Sequence, residues 1–128
     1  MDPDNRRPVD WVQRATALAA VRSGAAATPQ TMKLSLIVRA LALRARRPKA
    51  FDERCTYEPL VAGPGVCAFK RGEEVAALVG VREWEGAVVE GLDGRWRDVL
   101  AEVDHVLGGE APLKDLAGEH GLALLERR

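Results

Sequence analysis

The sequence predicts an α+β chain, with two N-terminal helices followed by a small antiparallel β-sandwich or half-barrel. Two observations carry this. Apolar residues recur at helical spacing as far as Leu43. After Phe51 the period drops to two, and short apolar runs alternate with turn residues. The expected division is therefore a helical part over 1–50 and a β domain over 51–128.

Residues 2–9, DPDNRRPV, are polar and bracketed by prolines, which predicts an irregular loop. Asp10 is placed to cap a first helix, with Gln13 completing a capping-box pattern. Trp11, Ala15 and Leu18 form its apolar stripe, expected in the core, and Gly24 stops it. Thr28-Pro29 opens a second helix, a threonine cap before a proline at the first helical position. From Met32 to Leu43 this helix is apolar on nearly every side: Leu34, Ile37, Val38 and Leu41 on one face, Leu36, Ala40 and Leu43 on another. Such a helix expects cover on more than one flank. Self-association, or docking of the helices on the β unit, would supply it. Arg44, Arg46 and Arg47 close the helix, where cations complement its negative end, and Pro48 terminates it.

The expected strands are 57–61, 66–70, 75–81, 87–92, 95–100 and 122–125, with a helical turn over 112–117. Gly63-Pro64-Gly65 and Arg71–Glu74 connect the first three strands. Asp93-Gly94 predicts a hairpin joining the fourth strand to the fifth, because its turn positions need positive φ. Gly108-Gly109 is a further break.

Composition narrows the function. At 47% hydrophobic and 30% charged, with 19 basic against 19 acidic residues, the chain is globular and neutral. Zero net charge gives no long-range attraction to nucleic acid or anionic lipid. No apolar run approaches the roughly 20 residues a membrane span needs. Met1 to Pro8 do not resemble a secretory signal, so cytoplasm is the expectation. Cys55 and Cys67 read as two thiols. Neither they nor His105 and His120 stand at metal-ligand spacing, so no metal and no cofactor is expected.

Sugar chemistry needs two carboxyl groups facing one bond, about 5.5 Å apart when configuration is retained. Asp2 and Asp4 lie in a terminal loop, and Glu73 and Glu74 sit at a hairpin tip. Asp98, Glu102 and Asp104 have no arginine or histidine evidently aimed at them. Ser23 and Ser35 lack a nucleophile elbow. No catalytic residue is assigned. Candidate substrate-binding residues are Asn5, Arg6 and Arg7, a row of donors before a helix, and Trp84, flanked by Glu83 and Glu85 at a bend. An indole face stacks on a pyranose ring. Trp11 and Trp96 fit core packing instead.

Taken together, DPDNRRPVD (2–10), KLSLIVRALALRARRPKAF (33–51), YEPL (57–60), GRWRDVL (94–100) and PLKDLAGEHGLALLER (112–127) resemble the carboxy-terminal end of maltooligosyltrehalose synthases. The resemblance covers almost the whole chain, and its first two motifs are the most distinctive. That family belongs to the α-amylase superfamily. The resemblance implies that residues 1–50 are the helical tail of a (β/α)8 barrel and that Asn5, Arg6 and Arg7 lie in a loop facing its sugar cleft. It also implies a parent reaction, an intramolecular transglycosylation that converts the reducing-end α-1,4 link of a maltooligosaccharide to α,α-1,1. The catalytic carboxylates would lie on strands before residue 1, leaving this chain a non-catalytic, structural fragment. Met1 directly before DPDN fits a truncated gene, a start placed too late or an expressed fragment. The alternative reading is a free-standing module that binds glucan or a protein.

Overall fold

The computed structural model describes residues 8–24, 28 and 31–128, the side chain of Glu119 excepted. The chain divides into two units, the first ending at Val38 and the second running from Arg39 to Arg128.

In the first unit, α1 spans Trp11–Arg22. Asp10 caps it, its carboxylate accepting from the Gln13 amide at 2.9 Å. Gly24, at φ +90, closes it by donating to the Val21 carbonyl. Val21 is buried, but Trp11 and Val12 are 75% and 78% exposed. The expectation that Trp11 lies in the core is thus corrected. A stripe at helical spacing is buried only where another element meets it, and none of the described residues covers Trp11. Helix α2 (Met32–Arg46) begins in the same unit after paired threonines, the Thr28 amide donating to Thr31 Oγ1 at 2.8 Å. Pro29, expected at its first position, lies outside the described residues.

The second unit takes the C-terminal half of α2. Arg47 closes the helix by donating to the Leu43 carbonyl, and Pro48 starts a 3-10 turn, Pro48–Phe51. Eight strands follow: β1 (Tyr57–Pro59), β2 (Val66–Arg71), β3 (Val75–Gly80), β4 (Val88–Glu90), β5 (Gly94–Asp98), β6 (Val103–Leu107), β7 (Glu110–Pro112) and β8 (Leu122–Arg127). Six of them form one antiparallel sheet in the order β1-β2-β3-β8-β5-β6, and β4 pairs with β7 in a separate ribbon.

Alternation decides which residues meet. Ala68 stands opposite Leu78, Ala76 opposite Leu125 and Leu78 opposite Ala123, so these small and large apolar groups share one face. That face carries the core, completed by Trp96, by Val89 and Ala111 of the ribbon, and by Leu113, Leu116 and Ala117 of α3 (Leu113–Ala117). Trp96 is fully buried, its indole N–H satisfied by the Leu92 carbonyl at 3.1 Å. Leu43, Val75 and Leu124 are buried away from this cluster.

The expected hairpin at Asp93-Gly94 is absent, because β4 and β5 lie in different sheets. The Glu90 amide donates to Val61, the Gly91 amide to Gly109, and Val88 pairs with Pro112. Gly94, at φ +112, instead starts β5 beneath the Arg127 side chain, where a Cβ would clash. The hairpin that does form joins β5 to β6 through Val99–Glu102, a stretch with none of the usual turn residues. The Asp98 carboxylate supplies the missing signal, accepting from the amides of Leu100 at 2.9 Å and Ala101 at 3.4 Å. Glu102 takes the left-handed conformation, φ +59. Consequently β5 ends at Asp98, two residues earlier than expected, and β6 and β7 are additions to the sequence-based reading.

Candidate functional site

Asn5, Arg6 and Arg7 lie outside the described residues. Trp84 is described, and its setting is specific. After β3 the chain bends, the amides of Val81 and Arg82 both donating to the Gly65 carbonyl, and Glu83 is at φ +46. This bend carries the indole back over the end of the sheet, where the Gly80 amide donates to the Gly121 carbonyl at 2.6 Å. Neither glycine has a side chain to obstruct the ring. A Cβ on Gly121 would lie 2.8 Å from Trp84 Cε2, and one on Gly80 would overlap the ring. Trp84 is half-buried and packs against the core, while Arg82, Glu83 and Glu85 around it are exposed. The glycine floor and the core neighbours cover most of the indole, which keeps partial exposure to solvent.

The arginines at the end of α2 have protein partners. Arg47 donates through Nε to Glu126 Oε2 at 3.0 Å and through Nη2 to the Arg127 carbonyl at 2.9 Å, and its Nη1 lies 3.3 Å from Glu74. Arg46 Nη2 reaches the other Glu126 oxygen at 3.0 Å. The Glu126 hydrogen bond holds the Arg47 pKa above its usual value, with smaller contributions from Glu74. Burial pushes Glu126 upward, but the hydrogen bonds from Arg46 and Arg47 outweigh it and leave its pKa lowered. The cluster therefore joins α2 to β8, beyond complementing a helix end.

The acids of the β5–β6 hairpin are also engaged, correcting the expectation that no arginine faces them. Arg39 reaches Glu102 at 2.8 Å and the Val99 carbonyl at 3.2 Å, and Arg97 pairs with Asp104 at 3.1 Å. Asp98 is buried; desolvation raises its pKa against the opposing pull of backbone amides from Leu100, Ala101 and Leu124. Its Oδ1 closes a turn, which is a structural use. Lys70, nearly buried, lies 3.1 Å from Glu58 and 3.3 Å from Glu73. Among the described residues no group of three or more His, Cys, Asp or Glu is placed to hold a metal ion. Cys55 and Cys67 are free thiols. No described helix is long and apolar enough to cross a membrane.

No family model matches the chain. Two curated proteins do, the putative maltooligosyl trehalose synthases of Mycobacterium tuberculosis strains CDC 1551 / Oshkosh and H37Rv, each 32% identical over 139 residues. The fold agrees. The maltooligosyltrehalose synthase of Arthrobacter ramosus superposes on 100% of this chain with a TM-score of 0.78 at 28% identity. The chain is homologous to the carboxy-terminal region of maltooligosyltrehalose synthases. It spans 17% of the length of the Mycobacterium synthases and 18% of the Arthrobacter synthase. A glycosyltrehalose synthase, DSM5389, shares the fold at a TM-score of 0.73 and 24% identity.

Within the β unit the sequence reading passed over one aromatic group. Tyr57 and Phe69 meet across β1 and β2, and Arg71 and Phe51 meet beside them. The available signal was the alternation of Tyr57 with Pro59 and Phe69 with Arg71, which places all four on one face of the hairpin.

Proposed function

We propose that this chain is the carboxy-terminal part of a maltooligosyltrehalose synthase-like enzyme and serves that enzyme without performing catalysis itself. The observation that supports this best is the match of the entire chain to about a sixth of the length of synthases. The parent reaction is the intramolecular transglycosylation described above, an isomerisation within the α-amylase superfamily, run in the cytoplasm. The acids and arginines described here fit a supporting role. Glu126, Glu102, Asp104 and Asp98 are engaged with arginines or backbone amides, so none stands ready as a nucleophile or general acid.

On this reading α1 and α2 complete the outer ring of a (β/α)8 barrel. Asn5, Arg6 and Arg7, together with Trp84, contribute to the maltooligosaccharide surface. Ile37 and Leu41 of α2, 44% and 59% exposed, meet the barrel body. Without that body a second copy covers them, and the isolated chain self-associates.

The test is a product assay with maltopentaose, resolving α,α-1,1-linked ends by proton NMR. The chain alone yields none. Adding a synthase polypeptide that lacks this segment yields trehalose-ended product. Turnover by the chain alone, or failure of the pair to associate, overturns the proposal.

A further inference from the structure

We infer that the outer corner of the β1–β2 hairpin is a second glucan-binding surface, a platform built from Tyr57, Phe69 and Arg71. A pyranose presents an apolar face of C–H groups and a rim of hydroxyls. A surface that holds it needs an exposed, rigid aromatic ring and a fixed hydrogen-bond donor beside it.

The hairpin supplies both. Tyr57 is 57% exposed, yet its ring is supported by Phe69, with centroids 5.1 Å apart and planes inclined at 33°. The ring therefore has a backing that keeps it from folding onto the sheet. Directly across the ladder from Tyr57 is Arg71. Its Nε donates to the Ala50 carbonyl at 2.8 Å and its guanidinium lies 5.6 Å from the centre of the Phe51 ring. Anchoring through Nε fixes the plane of the group and leaves its terminal nitrogens as donors for a hydroxyl. Pro59 follows Tyr57 on the same face of the strand, about 7 Å along it, which extends the platform by roughly one sugar width.

The size of the feature favours a sugar over a protein. A stable protein interface covers about 800 Å² on each side, whereas this group is one ring wide at the edge of a sheet. The site rests on the geometry. Only the choice of an α-1,4-glucan rests on the proposed kinship of function with the synthases.

The experiment is a titration of the full chain with maltopentaose, followed by amide chemical shifts, with cellopentaose as the comparison ligand. Saturable shifts at residues 57, 69 and 71 are expected at millimolar maltopentaose. Tyr57→Ala weakens them about tenfold or more and Tyr57→Phe retains them. Tyr57 is exposed, so both variants keep the wild-type unfolding midpoint. Shifts centred elsewhere, shifts that survive Tyr57→Ala, or none up to about 10 mM ligand would overturn the inference. Shifts at the same residues that depend on protein concentration without sugar would assign the platform to a second copy. The product assay for the parent reaction is independent, so either proposal can fail alone.

Discussion

Arg47 and Glu126, 79 residues apart, meet with 3.0 Å between Nε and Oε2, while Arg47 also donates to the carbonyl of the next residue, Arg127, at 2.9 Å. The guanidinium thus grips both a side chain and the backbone of β8, fastening the end of α2 to the middle of the sheet. Neither group is fully solvated, so the pair is worth more than an ordinary surface ion pair.

Arg47→Ala is expected to lower stability by about 1–3 kcal/mol, since it leaves Glu126 with one arginine and the Arg127 carbonyl without its donor. Arg46, half exposed and bonded only to Glu126, should cost less than about 1 kcal/mol when changed to alanine. Urea unfolding of the two variants compares them, and equal losses would show that the backbone contact adds nothing.

Glu126 and Asp98 should respond to acid in opposite ways. Glu126 has a lowered pKa, so its stabilisation is present above the unfolded value and is lost as pH falls through the folded one. Asp98 has a raised pKa, so its contribution is largest below the unfolded value and declines as pH rises through the folded one. Glu126→Gln should therefore destabilise near pH 7 and approach wild type toward pH 3, a window set by the usual carboxylate pKa of about 4.3. Asp98→Asn should reduce the gain in stability on acidification. Unfolding midpoints measured from pH 7 to pH 3 decide both signs.

Trp96 is buried beneath Arg127, whose guanidinium lies 4.0 Å from the ring centre and is held by the carbonyls of Glu73 and Asp93. Trp96→Ala should cost about 3–5 kcal/mol through the cavity it leaves. Trp96→Phe, which keeps an aromatic face but frees the Leu92 carbonyl, should cost less. Thermal unfolding measures both, and a phenylalanine variant as damaged as the alanine one would argue against the stacking contribution.

Gly121 sits at φ +67 beneath Trp84. Gly121→Ala therefore combines backbone strain with a steric clash and should lose about 1–3 kcal/mol. In a Trp84→Ala background the steric part disappears and only the strain remains. A double-mutant cycle by chemical denaturation separates the two, and strict additivity would mean that the ring does not rest on this glycine.

Much of the fold was legible because local chemistry is sufficient for it. Asp10 and Gly24 bracket α1, Pro48 ends α2, and alternation marks Val66–Arg71 and Val75–Gly80 as strands whose apolar residues must share a face. Local rules failed where a distant group supplied the decisive interaction. Asp93-Gly94 has the composition of a hairpin, yet Arg127 and Gly109 draw its flanks apart. Val99–Glu102 lacks turn composition, yet a buried carboxylate makes it one. Trp11 and Trp96 both fit core packing by local pattern, and only the packing around them makes one exposed and the other buried.

The site divides the same way. Trp84 was identifiable as the tryptophan set at a bend, but the glycine floor under it depends on Gly80 meeting Gly121, two glycines far apart in sequence. The arginines that hold Glu102 and Glu126 come from α2 and the residue after it, and a pairing across 63 to 80 residues leaves no trace in local pattern. What the sequence by itself determined is the order and type of most elements, through caps, breaks and hydrophobic period, together with the kinship to the synthases. What only the tertiary structure decided is strand order, which charges meet and which aromatic rings remain open. Those outcomes follow from long-range burial, where each group's surroundings are set by chain segments far from it in sequence.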